Sequence, residues 1–169
     1  MSTPDRGSLS RLAADAVAAL QSQGLTLATA EATTGGLVGH LITGVPGSSR
    51  VFRIGVAPYW NGVKVRLGVS KTVLRDHGAV SREAAEALAT AVRDWSGASI
   101  GLAETGIAGP AGGTDERPVG LFYISLAAAE GVTSERFVFA EDRHGNRQAC
   151  AEAALQLLIR TLIAPPAHP

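Results

Sequence analysis

The sequence predicts an α/β protein with a mixed, mainly parallel central sheet and helices on both of its faces. Three observations carry this. In the first half of the chain, short apolar runs alternate with segments of helical period, the pattern of a layered parallel sheet. Two further strand-like runs near the C-terminus follow one another directly, as a hairpin does, and make the sheet mixed. The 169 residues are 46% hydrophobic and 18% charged, which is ample for one packed core and argues against global disorder.

Each element follows in order. Residues 1–8 (MSTPDRGS) and 164–169 (APPAHP) read as loose ends around a single domain over residues 9–163. Leu9, Leu12, Ala13, Ala16, Val17 and Leu20 share one face of a first helix, which Gly24 ends. LTLATA is a short buried strand. Thr33-Thr34-Gly35-Gly36 then turns the chain into a short helix reaching about Ile42, and VPGSS is a loop. VFRIGVAPY is a second strand, and WNGVKVRLG is helical up to Gly68. Ser70 caps a short turn or helix through His77, and Ser81 is an N-cap for REAAEALATAVRDWSG. ASIGLAETG is a third strand that runs into the loop TGIAGPAGGTDERP. VGLFYISLAAAEG and VTSERFVFAED form a hairpin around Gly131. A long helix closes the chain, with Ala149, Ala153, Leu157 and Ile163 among its inward candidates.

Composition excludes several function classes. A formal net charge of +0 argues against an extended nucleic-acid surface but leaves room for a small anion, which needs only a local site. The single cysteine, Cys150, rules out an intrachain disulfide and a Cys-rich zinc centre, and reads as a small buried hydrophobe. The histidines at 40, 77, 144 and 168 have no ligand spacing and read as surface or cap residues, so neither a metal nor a cofactor is expected. No apolar segment reaches membrane-spanning length and no signal-like start is present, so a cytoplasmic protein without a membrane partner is expected.

Three segments have the composition of a chemical site. Ligands of open α/β sheets gather at the carboxyl ends of strands. EATTGG stands there, before a helix whose N-terminal amides favour a negative group. Thr34 is either that helix's cap or a ligand contact, and a plain strand-to-helix turn is the alternative. Within it, position 32 is where a nucleophile would be wanted, and it carries alanine. The second segment, TGIAGPAGG, is rich in glycine, which lets backbone amides approach a ligand closely. It lacks the Lys of a P-loop and the spacing of a dinucleotide fingerprint, and a structural loop or subunit contact is the alternative. In the third, PYWNGVK, Tyr59 and Lys64 lie close enough in sequence to point into one cleft. Lys64 serves as a base if burial or a neighbouring cation lowers its pKa from about 10.4; otherwise it is a solvated surface lysine. Arg143 and Arg147 open the last helix, where they either grip a phosphate or carboxylate or pair with Glu141 or Asp142.

From about Leu9 to Leu162, the segments LATAEATTGGLVGHLITGVPGSS, LGVSKTVLRDHGAVSREAAEALA, TGIAGPAGGTDERPVG and DRHGNRQACAEAAL together resemble the nicotinamide-nucleotide amidase family, also called the CinA C-terminal domain family. The resemblance implies a three-layer α/β/α sandwich. It also implies hydrolysis of the carboxamide of nicotinamide mononucleotide to nicotinate mononucleotide and ammonia, in pyridine-nucleotide salvage. No metal is expected of such a protein, and a homo-oligomer is. Larger members carry an N-terminal domain resembling molybdopterin-binding proteins, for which this chain has no room, so the stand-alone form is expected. In the family a serine attacks the amide, a lysine and a tyrosine move protons, and loop amides support the oxyanion.

Residue by residue, the family's Ala-Glu-Ser-Cys-Thr-Gly-Gly is matched at Ala30, Glu31, Thr34, Gly35 and Gly36, but Ala32 stands at the serine and Thr33 at the cysteine. Of the family's Tyr-Ser-Asn-Glu-Ala-Lys, Tyr59, Asn61 and Lys64 remain, while Trp60 replaces the serine and Gly62 the glutamate. Glu104 precedes TGIAGP where a small or apolar residue is usual. The candidate catalytic residues are therefore Thr33, Tyr59 and Lys64. The candidate ligand contacts are Thr34, Gly35, Gly36, Asn61, Thr105, Gly106, Gly109, Gly112, Gly113 and Arg143. Three readings follow. The chain keeps a nucleotide site with lost or weakened hydrolysis; or it is an active amidohydrolase using Thr33 or a water activated by Lys64 and Tyr59; or it is a non-catalytic binding or oligomeric protein, which Trp60 would favour by filling the cleft.

Overall fold

The computed structural model describes residues 6–163. In chain order the elements are α1 (Arg6–Gln23), β1 (Leu27–Glu31), α2 (Leu37–Thr43), a 3₁₀ turn (Ser48–Arg50), β2 (Phe52–Val56), α3 (Asn61–Leu67), α4 (Lys71–Asp76), α5 (Arg82–Ser96), β3 (Ile100–Gly106), β4 (Leu121–Ala128), β5 (Gly131–Val138) and α6 (Arg143–Ile163). The five strands form one sheet in the order β2-β1-β3-β4-β5. β1 pairs in parallel with both β2 and β3, whereas β3–β4 and β4–β5 are antiparallel. Only β4 runs against the other four strands, so the sheet is mixed with one dominant direction.

Strand alternation divides the core in two. Leu27, Ile100, Leu102, Phe122, Ile124 and Leu126 pack with α1, α2 and α6 on one face. Ala28, Ala30, Ala103 and Ala127 pack with Leu88, Ala89 and Val92 of α5 on the other. The three layers follow directly. Small residues dominate the second face because α5 sits close to the sheet: a Cβ at Gly101 would lie 2.0 Å from the Ala89 carbonyl oxygen. Both predicted caps of this side are present. Ser70 Oγ accepts from Thr72 N, and Ser81 Oγ accepts from Ala84 N, each at 3.1 Å.

Several boundaries differ from the sequence reading. α1 begins at Arg6, so part of the segment read as loose is helical; the residues this adds, Arg6, Gly7 and Ser8, carry no large apolar side chain to mark them. The rest of the two terminal segments lies outside the described residues, as does His168. β2 stops at Val56, ahead of Pro58, which has no N–H to give a sheet ladder. Gly131 begins β5, and Ala129-Glu130 makes the hairpin turn, flanked by the Ala128–Gly131 pair. Ile163 is 70% exposed, while Ala149, Ala153 and Leu157 are buried as expected. Cys150 is buried and free, and His40, His77 and His144 are exposed.

Candidate active site

β1 and β3 are central, parallel neighbours, and the loops at their carboxyl ends open onto one cleft of about 280 Å³, just below the usual range of ligand sites. The β1–α2 loop supplies Ala32 and Thr33. The segment after β2 supplies Tyr59, and α3 supplies Asn61 and Lys64. Thr105, Gly106, Gly109 and Gly112 come from the end of β3 and its loop, and Arg143 comes from the start of α6. Thus nine of the predicted site residues meet, although they come from four separate stretches of the chain. Thr34, Gly35, Gly36 and Gly113 do not line this cleft. Ala79, Val80, Ile107, Ala108 and Ala111 do, with no chemical signature that would have marked them in the sequence.

The polar groups of the cleft are specifically engaged. Lys64 is 3% exposed, and its Nζ donates to the Tyr59 carbonyl at 3.1 Å. Burial lowers its pKa below the ordinary lysine value, and the negative charge of Glu104 works against that lowering. Thr33 Oγ1 donates to Gly106 O at 3.1 Å and accepts from Gly106 N at 2.8 Å. Its proton is thus given to a carbonyl, not to a base. Arg143 turns inward: its Nη1 donates to Gly109 O at 2.7 Å and its Nη2 lies 3.4 Å from the Tyr59 hydroxyl. Arg147 donates to the Thr34 carbonyl. Trp60 is 78% exposed and leaves the cleft empty, contrary to the reading in which it fills it.

Behind the cleft floor lies a feature that the sequence reading missed. Glu31 and Glu104 are register partners on β1 and β3, and both are buried. Glu31 Oε2 accepts from Val38 N and Oε1 from Gly39 N, each at 2.8 Å. The anion at the N-terminus of α2 is therefore an internal carboxylate, and not a ligand. Gly36, with φ +96°, is the N-cap there, and Thr34 is not. Glu104 Oε1 accepts from Thr33 N (2.7 Å), Thr34 N (2.8 Å) and Thr34 Oγ1 (2.9 Å). The same Thr34 hydroxyl lies 2.8 Å from Glu31 Oε2, so one hydroxyl ties the two acids together. Glu104 Oε2 is buried without a partner. Burial, reinforced by the charge of Glu31 and opposed by the Thr33 and Thr34 hydrogen bonds, pushes the Glu104 pKa up to about 7. The signal available in the sequence was an acid in each of two largely apolar strands, the second of them a departure from the resembled pattern.

The loop after β3 is hydrogen-bonded within the protein at its start and open further on, where neither the N–H nor the carbonyl of Ala111 and Gly112 has a protein partner among the described residues. The carbonyls of Gly106, Ile107, Ala108 and Gly109 accept, in turn, from Thr33 Oγ1, Gly120 N, Asn146 Nδ2 and Arg143 Nη1. The N–H groups of Ala108, Gly109, Ala111 and Gly112 find no protein acceptor among the described residues. Glycine at 109 is required by packing: φ is +86° and a Cβ would lie 2.5 Å from Val119 Cγ1. A second recess of about 570 Å³, lined in part by Val119, His144 and Arg147, adjoins the cleft across Ala108 and Arg143. Among the described residues no group of three or more His, Cys, Asp or Glu could hold a metal ion, and no helix is long and apolar enough to cross a membrane.

Comparison with known proteins bears on this architecture. Residues 9–162 match the CinA C-terminal domain. A relative from Halothermothrix orenii, named as a competence-damage inducible protein, is 48% identical over 145 residues, covering 85% of this chain and 35% of its own length. A CinA-like protein from Salinibacter ruber is 44% identical over the same shares. The chain thus spans about a third of the length of these relatives. Among solved structures, the competence/damage inducible protein CihA from Agrobacterium tumefaciens superposes with a TM-score of 0.89 at 35% identity, covering 97% of this chain and 99% of that one.

Proposed function

Because this chain belongs to the CinA C-terminal domain family, we propose that its cleft binds a pyridine nucleotide, nicotinamide mononucleotide or a close analogue, with hydrolysis of the carboxamide lost or greatly weakened. The observation that carries this reading is an assembled site around a missing hydroxyl. Tyr59, Lys64 and the 105–112 loop converge on one cleft, and the residue at the resembled nucleophile position, Ala32, lines it with a methyl group. Among the cleft-lining residues Lys64 and Arg143 are cations and no residue is an acid, which suits a phosphorylated ligand. The adjoining recess, where Arg143 and Arg147 stand beside Glu141 and Asp142, gives room for the part of a nucleotide that a cleft of about 280 Å³ does not hold.

Loss of a nucleophile from a cooperating catalytic set costs on the order of 10⁴ to 10⁶ in rate. Thr33 is a poor replacement, because its hydroxyl bonds both the N–H and the carbonyl of Gly106. A second reading, direct attack by water with Lys64 as base, is favoured by one observation: burial moves the Lys64 pKa in the direction a base needs. A homo-oligomeric, cytoplasmic protein fits either reading.

The test is Ala32→Ser. A serine here would attack the carboxamide carbon, with Lys64 or Tyr59 passing its proton to the departing ammonia. We expect the unaltered protein to bind nicotinamide mononucleotide and release ammonia no faster than the protein-free background, and the variant to release it at least roughly 10²-fold above that background. Turnover by the unaltered protein that is abolished by Lys64→Met and retained by Thr33→Val would instead establish the water mechanism.

A further inference from the structure

The two buried acids behind the cleft floor have no part in the reading above, and their hydrogen bonds do not close with both of them ionised. Glu31 Oε1 accepts from Thr29 Oγ1 at 3.1 Å and from Gly39 N at 2.8 Å. Its Oε2 accepts from Val38 N at 2.8 Å and lies 2.8 Å from Thr34 Oγ1. Glu104 Oε1 accepts from Thr33 N and Thr34 N and lies 2.9 Å from that same hydroxyl. A hydroxyl has one proton to give. Thr34 therefore donates to one acid, and its contact with the other is a hydrogen bond only when that acid brings a proton of its own.

Two features place that proton on Glu104. With the Thr34 hydroxyl directed to it, Glu31 receives four bonds, the full complement of a carboxylate. Glu104 Oε2 is buried with no partner, which costs less for the carbonyl oxygen of a neutral acid than for half of a buried charge. The surroundings are these. β1 and β3 hold the acids as register partners, about 4.8 Å apart at the backbone. α2 faces the pair with backbone amides. From α3, Lys64 is the cation that senses the charge of Glu104. From α6, Arg147 donates to the Thr34 carbonyl, and Cys150 stays a thiol because burial and both acids push its pKa up. Burial brings the Glu104 pKa to about 7, so its proton exchanges near neutral pH.

We propose that Glu31 and Glu104 hold one proton between them through the Thr34 hydroxyl, and that its release to water is a pH switch on the β1–α2 turn and on Lys64. The acids sit on strands fixed by their ladders, so the turn takes up the change. Once the proton has left, the pair carries two charges and the single Thr34 proton serves one of them. The hold of Glu104 on the Thr33 and Thr34 amides then changes, and Ala32 and Thr33 of that turn line the cleft. The new charge also keeps Lys64 an ammonium to higher pH. One proton behind the floor thus acts on two sides of the cleft.

The experiment is an NMR titration of the ligand-free protein over roughly pH 5 to 11, with labelled amides and labelled lysine ε-carbons. No nucleotide is involved, so the result is independent of the proposed ligand. The chain's lysines are Lys64 and Lys71, and Lys71→Arg assigns the two carbon signals. The expected result is one common midpoint near neutral pH for the Thr33 and Thr34 amides, which report Glu104, and for the Val38 and Gly39 amides, which report Glu31. Glu104→Gln, its fold checked by circular dichroism, should lose that step, and its Lys64 signal should titrate at lower pH than in the parent. Thr34→Val should leave a step at Thr33 and shrink it at Val38 and Gly39. No step at Thr33 and Thr34 near neutral pH, or one that survives in Glu104→Gln, overturns the proposal. A parental step confined to Thr33 and Thr34 overturns the shared proton, and a Lys64 titration unmoved by Glu104→Gln overturns the link to Lys64.

Discussion

Burying a carboxyl group costs most when the group must ionise, and Glu104 is where that cost falls in this chain. Its pKa of about 7 lies above the ordinary 4.5, so the folded state holds the proton more tightly than the unfolded chain. The stability this confers is fully present below about pH 4.5 and is lost as pH rises through about 7. The gap corresponds to about 3 kcal/mol. Glu104→Gln keeps an acceptor for the Thr33 and Thr34 amides but cannot ionise. Urea unfolding should therefore show the variant gaining on the parent by about 3 kcal/mol between pH 4.5 and pH 8.5. Parallel stability curves would contradict the burial account. That residue 32 carries no hydroxyl was plain in the sequence, because one residue type decides that chemistry. It did not reveal the acid pair, because two isolated glutamates 73 positions apart become a pair only through the β1–β3 register. Lys64 was legible as a candidate, but its burial depends on how α3 packs.

At the scale of elements, α5 was read nearly to the residue, because Ser81 closes its N-terminus and Gly97 ends it in a left-handed turn. Ser81→Ala removes the acceptor for Ala84 N and should cost about 1 kcal/mol in chemical denaturation, with no change in ligand affinity. Gly109→Ala should behave differently. It places a Cβ on Val119 at a positive φ, so we expect a loss of roughly 2 kcal/mol together with weakened nucleotide binding, since the same loop carries the free amides. An unchanged affinity would remove that loop from the site. The glycine-rich loop was conspicuous in the sequence, yet the reason for its glycines was only partly the one expected. Gly106, Gly109 and Gly113 are held to glycine by contact with Phe122 or Val119, not by a ligand. The N-terminal amides of α2, where a negative group was expected, are met by Glu31 of the adjoining strand.

At the scale of the whole molecule, alternation of strands and helices sufficed for the layered architecture, whereas the strand order did not follow from it. Nothing local in the sequence says that β1 lies between β2 and β3, and that placement brings Ala32, Lys64 and the 105–112 loop to one cleft. The proposal for that cleft is binding of a pyridine nucleotide without turnover. The most direct test is proton NMR of nicotinamide mononucleotide incubated with a stoichiometric amount of the unaltered protein, because one set of spectra reports both events. The prediction is broadened or shifted ligand resonances with no nicotinate mononucleotide accumulating. Steady conversion to the acid would contradict the loss of hydrolysis at Ala32, and ligand lines indistinguishable from those in buffer would contradict the binding site itself.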